Sequence, residues 1–302
     1  MRPSDAFSHL LIYNLAGTAF SWGDLGHRTT AYLAELYLTD DELRAVQHNT
    51  GFDDISDAAV WPDQVSKTPE YSYTASWHYL NVHDDPPSAC GIELPRDHQP
   101  GSSDILTAFV NHSKIATSKH SSAEQLSEAF RFLLHWVGDS HQPLHAEGFK
   151  RGGGEIPVLF EAEPTNLHIV WDVHIPEKLR GQPDQRQAAK DWAKELFNKD
   201  TAQLPSVDKT CSDPGHAFEC VYGWMQEANQ LVCSSVFAKS VYDVDLGGSY
   251  YAQAAPVVNH QIARAGKRLA LWIKTVLNES LSNDSIVPNE WDQVVLDSPI
   301  AA

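Results

Sequence analysis

The sequence predicts a mainly α fold: a single compact multi-helix domain with long loops and at most a small β-hairpin. Three observations lead there. Apolar residues recur at helical spacing through most of the 302-residue chain. Strand-like character is confined to one short stretch, Pro157-Val-Leu-Phe160. Neither a G-x-G-x-x-G loop nor a G-x-S-x-G elbow is present to open an α/β unit, and no internal repeat is visible.

Taken in order, Leu25 to Leu38 is the first helical segment, with Tyr32, Leu33, Leu36 and Leu38 forming its apolar stripe before Thr39-Asp40-Asp41. Asp104 to Ile115 is the second. Ser121-Ser-Ala-Glu124 has the form of a capping box, and Leu126, Phe130, Leu133, Leu134 and Val137 follow it at helical spacing. Segments 166–173, 185–197, 217–237 and 256–277 complete the helical set. Pro157 to Phe160 follows the Gly152-Gly-Gly154 turn and suits a small hairpin or flap. Residues 83–101 are rich in Pro, Gly, Ser and Asp and read as a surface loop. Residues 281–302 lack a period and read as a C-terminal tail, leaving 22–280 as the domain.

The opening has the layout of a secretory signal peptide. Arg2 precedes a short apolar run from His9 to Phe20, and small residues stand at Ala19 and Ser21. Residues 1–21 are therefore expected to be removed, and the mature protein to be extracellular and monomeric, beginning at Trp22. No later stretch has the length and apolarity of a membrane span. The four cysteines are Cys90, Cys211, Cys220 and Cys233, none in a C-x-x-C pair, which favours disulfides over zinc-finger spacing. Of the three possible pairings, the polar Pro-Gly loop between Cys211 and Cys220 favours a local bridge, leaving Cys90 for Cys233. Asn111, Asn278 and Asn283 begin potential glycosylation sequons.

The formal charge is -18. Such a surface repels polyanions and excludes a DNA-coating or transcription-factor role, which needs basic patches. It leaves room for a nuclease whose positive charge is carried as bound metal. Histidines and acids recur at ligand spacing. His135 and Asp139 stand at i and i+4, on one helical face, and His168 and Asp172 repeat the interval. His145 follows the first pair after a turn, while Asp63 and His78 each lie beside a tryptophan. Imidazole and carboxylate without thiolate suit zinc. The absence of H-E-x-x-H takes away the base of the common metalloprotease reading.

These residues carry a resemblance. Trp22-Gly-Asp-Leu-Gly-His27, Trp61-Pro-Asp63, Trp77-His78-Tyr-Leu-Asn81 and His135-Trp-Val-Gly-Asp-Ser-His-Gln-Pro-Leu-His145 stand in a fixed order. Gly153-Gly154, Thr165-Asn-Leu-His-Ile-Val-Trp-Asp172 and Ala265-Gly-Lys-Arg-Leu-Ala270 continue it. Over residues 22–277 the chain resembles the S1/P1 nuclease family, whose superfamily includes bacterial zinc phospholipase C.

The resemblance implies a fold of the phospholipase C/P1 nuclease type and three zinc ions. It assigns Asp63, His78, His135 and Asp139 to the first ion, and His145, His168 and Asp172 to the second. The third would take the α-amine and carbonyl of Trp22, with His27 and a bridging Asp139. It further implies hydrolysis of single-stranded DNA and RNA to 5′-phosphate ends, with Asp63 and Asp139 in the catalytic machinery, and action on 3′-nucleotides. Tyr79 and Asn81 occupy the base-contacting positions, where Asn81 replaces a carboxylate by an amide. A basic residue common three positions after Asp63 is Ser66 here, with Lys67 beside it as the substitute. Two alternatives remain at this stage: a phospholipase C-like phosphodiesterase, and a non-enzymatic secreted zinc-binding protein.

Overall fold

The computed structural model describes residues 22–99, 101–181, 183–199 and 210–282. The chain is predominantly helical, with one two-stranded antiparallel sheet among the described residues. Helix α1 (Asp24–Glu35) is buried along most of its length. It packs against α3 (Ile55–Val65), α8 (Gln185–Lys199) and α10 (Ser249–Ser282). Helix α5 (Ala123–Asp139) packs on α2 (Asp40–Thr50), α3 and α4 (Ile105–Thr117), while α9 (Ala217–Leu231) lies on α4. Gly266 allows α10 its approach to α1, since a Cβ there would fall 2.6 Å from the Leu33 side chain.

The apolar interior forms two clusters. One gathers Phe109, Phe132, Trp136, Trp224 and Trp272 between α4, α5, α9 and the end of α10. The other gathers Trp22, Leu33, Trp171, Trp192 and Val258 around α1, α8 and the start of α10. All six of these tryptophans are fully buried. At about 25 cal/mol per Å² over some 150–250 Å², each contributes roughly 4–6 kcal/mol of transfer free energy before entropy is counted. That gain offsets the cost of the polar cluster lying among them. From Ala129 onward α5 is almost entirely buried, so its last two turns present polar side chains to the protein and not to water.

Several elements differ from the sequence expectation. The capping box of α5 is formed one residue later, by Ser122 and Gln125, because the helix begins at Ala123. Residues 40–65 hold two helices absent from that expectation: α2 is polar, with only Val46 and Thr50 buried, and α3 is largely buried but carries Pro62, which reads as a helix breaker. Segment 166–173 becomes a short helix α6 (Leu167–Ile169), a π turn over Val170–His174, and then α7 (Ile175–Arg180). Segment 217–237 likewise ends in a π turn, Val232–Val236. The last helix starts at Ser249, seven residues before Pro256, and continues through Ser282, past the expected boundary at residue 280. Cys90 is bridged to Cys233 and Cys211 to Cys220. The signal-peptide region, the tail beyond Ser282 and Asn283 lie outside the described residues.

The hairpin pairs β1 (Pro157–Phe160) with β2 (Glu163–Asn166) through a two-residue turn at Glu161 and Ala162. Both turn residues have positive φ, 54° and 69°, a conformation favoured by glycine or asparagine. Asp245 holds it: Oδ1 accepts from Glu161 N at 2.9 Å and Oδ2 from Ala162 N at 2.6 Å. Ala162→Gly is accordingly expected to stabilise the protein by about 0.5–1 kcal/mol, the left-handed strain relieved less the added chain entropy. Thermal denaturation would register a midpoint about 1–3 °C higher. A lower midpoint would mean that the turn is not strained.

Candidate metal centre

Asp63, His78, His135 and Asp139 converge from four separate places: α3, the end of a 3-10 turn (Ser72–His78), and two successive turns of α5. His78 Nδ1 lies 2.9 Å from His135 Nε2 and 3.1 Å from Asp139 Oδ2. His135 Nε2 is 3.1 Å from the same Asp139 oxygen, and Asp63 Oδ1 is 3.6 Å from both imidazole nitrogens. A tetrahedral ion with bonds of about 2.0–2.1 Å has ligand–ligand edges of about 3.3–3.4 Å. The five separations bracket that edge: Asp63, His78 and His135 form one three-ligand group, and Asp139 approaches it through both imidazoles.

Hydrogen bonds on the outer side of the rings fix the tautomers. His135 Nδ1–H donates to Ala59 O at 2.7 Å, His145 Nδ1–H to His78 O at 2.8 Å, and His168 Nδ1–H to Gly152 O at 2.7 Å. In the neutral imidazole, each such bond leaves the Nε2 lone pair available as a ligand. A second group forms where His145, on a 3-10 turn (Pro143–Ala146), meets His168 and Asp172. His168 Nε2 is 3.0 Å and His145 Nε2 3.8 Å from Asp172 oxygens, and Gln142 donates to Asp172 Oδ1. Asp172 Oδ2 is buried with no hydrogen-bond partner, an acceptor suited to a cation. The π turn adds a residue within Val170–His174 while keeping His168 and Asp172 adjacent.

A third group joins His27 to His135 and Asp139. His27 Nε2 is 3.3 Å from Asp139 Oδ1, and its ring stacks on His135 at 3.9 Å. Asp139 therefore faces His78 and His135 with one oxygen and His27 with the other, as a shared carboxylate must. Gly138 makes room for this stack, because a Cβ there would lie 2.8 Å from His27 Nδ1. Trp22 is fully buried against Gly26, and the next amide, Gly23 N, donates to Asp172 O at 2.9 Å. The start of the described chain is thus fastened beside the site.

A groove of about 240 Å³ is lined by Asp63, Asp172, Gly23, Gln64 and Lys67, so it borders both the first and second groups. The Ser66 hydroxyl turns back onto Asp63 O at 3.2 Å, leaving Lys67 as the cationic residue of the groove lining. Tyr79 is half-buried and Asn81 exposed. Both lie on the segment that Leu80 N ties to His145 O at 2.8 Å. Asn111 is partly exposed on α4, and Asn278 is exposed on α10. Sequence reasoning missed Gln142 and the carbonyls of Ala59, His78 and Gly152. Gln142 stood in view between two histidines; main-chain partners leave no residue-type signal.

The sequence model of the S1/P1 Nuclease family matches residues 22–278. The chain belongs to the S1/P1 nuclease family. It is 32% identical to Nuclease S1 of Aspergillus oryzae over 275 residues, covering 88% of this chain and 95% of that protein. It is 34% identical to Nuclease P1 of Penicillium citrinum over 269 residues, 84% and 97% of the two chains. Endonuclease 3 of Arabidopsis thaliana is 30% identical over 284 residues, 87% and 91%. This S1/P1 nuclease is a phosphodiester hydrolase with several His/Asp groups able to hold metal. No described helix is long and apolar enough to cross a membrane.

Electrostatics of the metal-free nuclease follow from the crowding. Burial works against charging His135, but Asp139 and Asp63 outweigh it and raise its pKa to about 9. Burial opposes ionising Asp139 as well, and His135, His27 and His78 outweigh it, holding that carboxyl well below its usual range. Asp63 is lowered in the same way: burial opposes the charge, and His135, His78 and His27 prevail. His27 goes the other way, pushed down by burial and by His135. Without metal, the flanking carboxylates thus favour a proton on His135, at the place a cation would take.

The sign of the pH dependence follows. A folded pKa raised above 6.5 stabilises fully below that value and is lost as pH climbs through about 9. Metal must displace this proton, so metal affinity should strengthen over the same interval. Denaturation midpoints of chelated protein are expected to fall between pH 6.5 and 9, with the metal-loaded form not following. Equal slopes for the two forms would remove His135 as the proton holder.

Proposed function

We propose that this chain is an exported, zinc-dependent endonuclease cutting single-stranded DNA and RNA to 5′-phosphate and 3′-hydroxyl ends, with activity on 3′-nucleotides. The observation that carries the reading is the convergence of Asp63, His78 and His135, with Asp139 beside both imidazoles, next to a second His/Asp group and a lysine-bearing groove. Asp63, His78, His135 and Asp139 would hold one ion, and His145, His168 and Asp172 a second. His27 and Asp139, with the amine and carbonyl of a processed Trp22, would hold a third. Zinc bound there supplies Lewis acidity toward water and phosphate oxygens.

The protein's own groups do the remainder. Asp63 borders both the first group and the groove, where its carboxylate can orient an attacking water and receive its proton. Lys67 places positive charge in the groove lining for a phosphate. Tyr79, on extended backbone just after His78, offers a ring face on which any base can stack. Asn81 both donates and accepts, so it suits more than one base edge. An acidic enzyme can serve a polyanionic substrate in this way, with its positive charge concentrated at the site.

The direct test assays zinc-loaded and chelated protein in parallel on single-stranded DNA, RNA, duplex DNA and phosphatidylcholine. Metal-dependent cutting of both single-stranded polymers, with 5′-phosphate ends and little duplex cleavage, is expected. Lipid turnover with inert polynucleotides would reverse the assignment. Tyr79→Ala should weaken single-strand binding by roughly 1–3 kcal/mol while sparing metal content. Unchanged affinity would place the base platform elsewhere.

A further inference from the structure

His141 lies between Asp139 and His145 in sequence, yet it belongs to none of the metal-competent groups found among the described residues. Helix α10, with Ala265-Gly-Lys-Arg-Leu-Ala270, contributes to none of them either. The two are joined to each other. His141 is fully buried, and its Nδ1–H donates to Val137 O at 2.7 Å, one turn back in α5. That bond leaves the lone pair on Nε2, which accepts from Arg268 Nη1 at 2.8 Å. Arg268 is also fully buried and pairs with Glu227 at 2.8 Å, a carboxylate it shares with Arg264. Gln261 Nε2 donates to His141 O at 2.8 Å, so α10 holds both the ring and the main chain of this one residue.

Taking a guanidinium out of water costs several kcal/mol, and apolar packing would fill the same space with less penalty. A directional donor aimed at a ring lone pair achieves what apolar filling cannot, because it fixes the corner after α5 in one orientation. Helix α10 is itself locked against α1, which carries His27, by the contact of Gly266 with Leu33. We propose that Arg268 and His141 are positioning residues. They set the separation of Asp139 from His145, and hence of the metal group around His135 from the one around His168.

The inference rests on the ligand assignment above, and the test separates the two. Zinc is titrated into metal-free protein against a chromophoric chelator, with bound metal counted by mass spectrometry and helicity followed by circular dichroism. Two amides divide the contacts of His141. In His141→Gln the carboxamide reaches the position of Nε2 and can accept from Arg268; in His141→Asn it reaches only Nδ1. His141→Asn and Arg268→Met are expected to lower affinity for the ion on His145, His168 and Asp172 by about tenfold or more, with metal-free helicity kept. His141→Gln should stay within about threefold of wild type. In a His168→Ala background, where that ion is already lost, His141→Asn should add nothing. Wild-type affinity in His141→Asn and Arg268→Met, equal loss of all ions, or His141→Gln no better than His141→Asn would each overturn the proposal. Wild-type protein that binds no zinc would overturn the ligand assignment itself.

Discussion

Asp139→Asn is expected to be the most damaging single substitution, lowering kcat/KM on single-stranded DNA by at least about a thousandfold, or about 4 kcal/mol of transition-state stabilisation. The reason is its position as the common neighbour of His27, His78 and His135, reached through two different oxygens. An amide keeps one oxygen and replaces the other by a donor, so it cannot bridge two cations or neutralise the charge between them. Two ions rather than one should be weakened, and metal analysis should show zinc falling from the proposed three per chain to about one. The ion on His145, His168 and Asp172 should survive, since its carboxylate is Asp172. Full zinc content with near-wild-type turnover would remove Asp139 from the bridging role.

The second large effect concerns Trp22, the proposed first residue of the processed chain. A protein that keeps Ser21 in front of Trp22 should lose or distort the proposed third metal site, because an amide nitrogen has its lone pair delocalised into the peptide bond. Trp22 is buried, and Gly23 is fastened to Asp172 O, so the nitrogen that would become the amine is held by the fold beside the site. Because Asp139 would be shared, loss of that ion should also impair its neighbour. Cleavage after Ser21 should restore zinc content and hydrolysis together. Trp22→Phe with a free terminus should retain much of the coordination, which separates the amine from the indole. Full occupancy and activity with residue 21 attached would sink the N-terminal ligand while leaving the other two groups standing.

What could be read from residues alone divides along a physical line. His135 with Asp139 and His168 with Asp172 were visible because helical spacing turns a four-residue interval into proximity. Their buried setting was not visible in the same way. It arises because α5 loses its amphipathic pattern after Ala129, when neighbours cover it on every side. Helix α2 escaped notice because a polar surface helix shows little apolar period, although its Thr39–Glu42 capping box is present. The π turn at Val170–His174 cannot be inferred from propensity, since it depends on how the chain is held at both ends. The outer hydrogen bonds that set each imidazole tautomer run to main-chain carbonyls, which every residue has. His141 illustrates the same limit: nothing in its sequence position shows that Arg268 makes it part of the frame.

The most direct measurement is anomalous scattering at the zinc edge from crystals of the processed chain, with the α-amine of Trp22 free. Three peaks are expected: one within Asp63, His78, His135 and Asp139, one within His145, His168 and Asp172, and one beside His27, Asp139 and the amine of Trp22. Peaks away from these side chains, or no peak between Asp63 and His135, would contradict the proposed metal centre and the chemistry that depends on it.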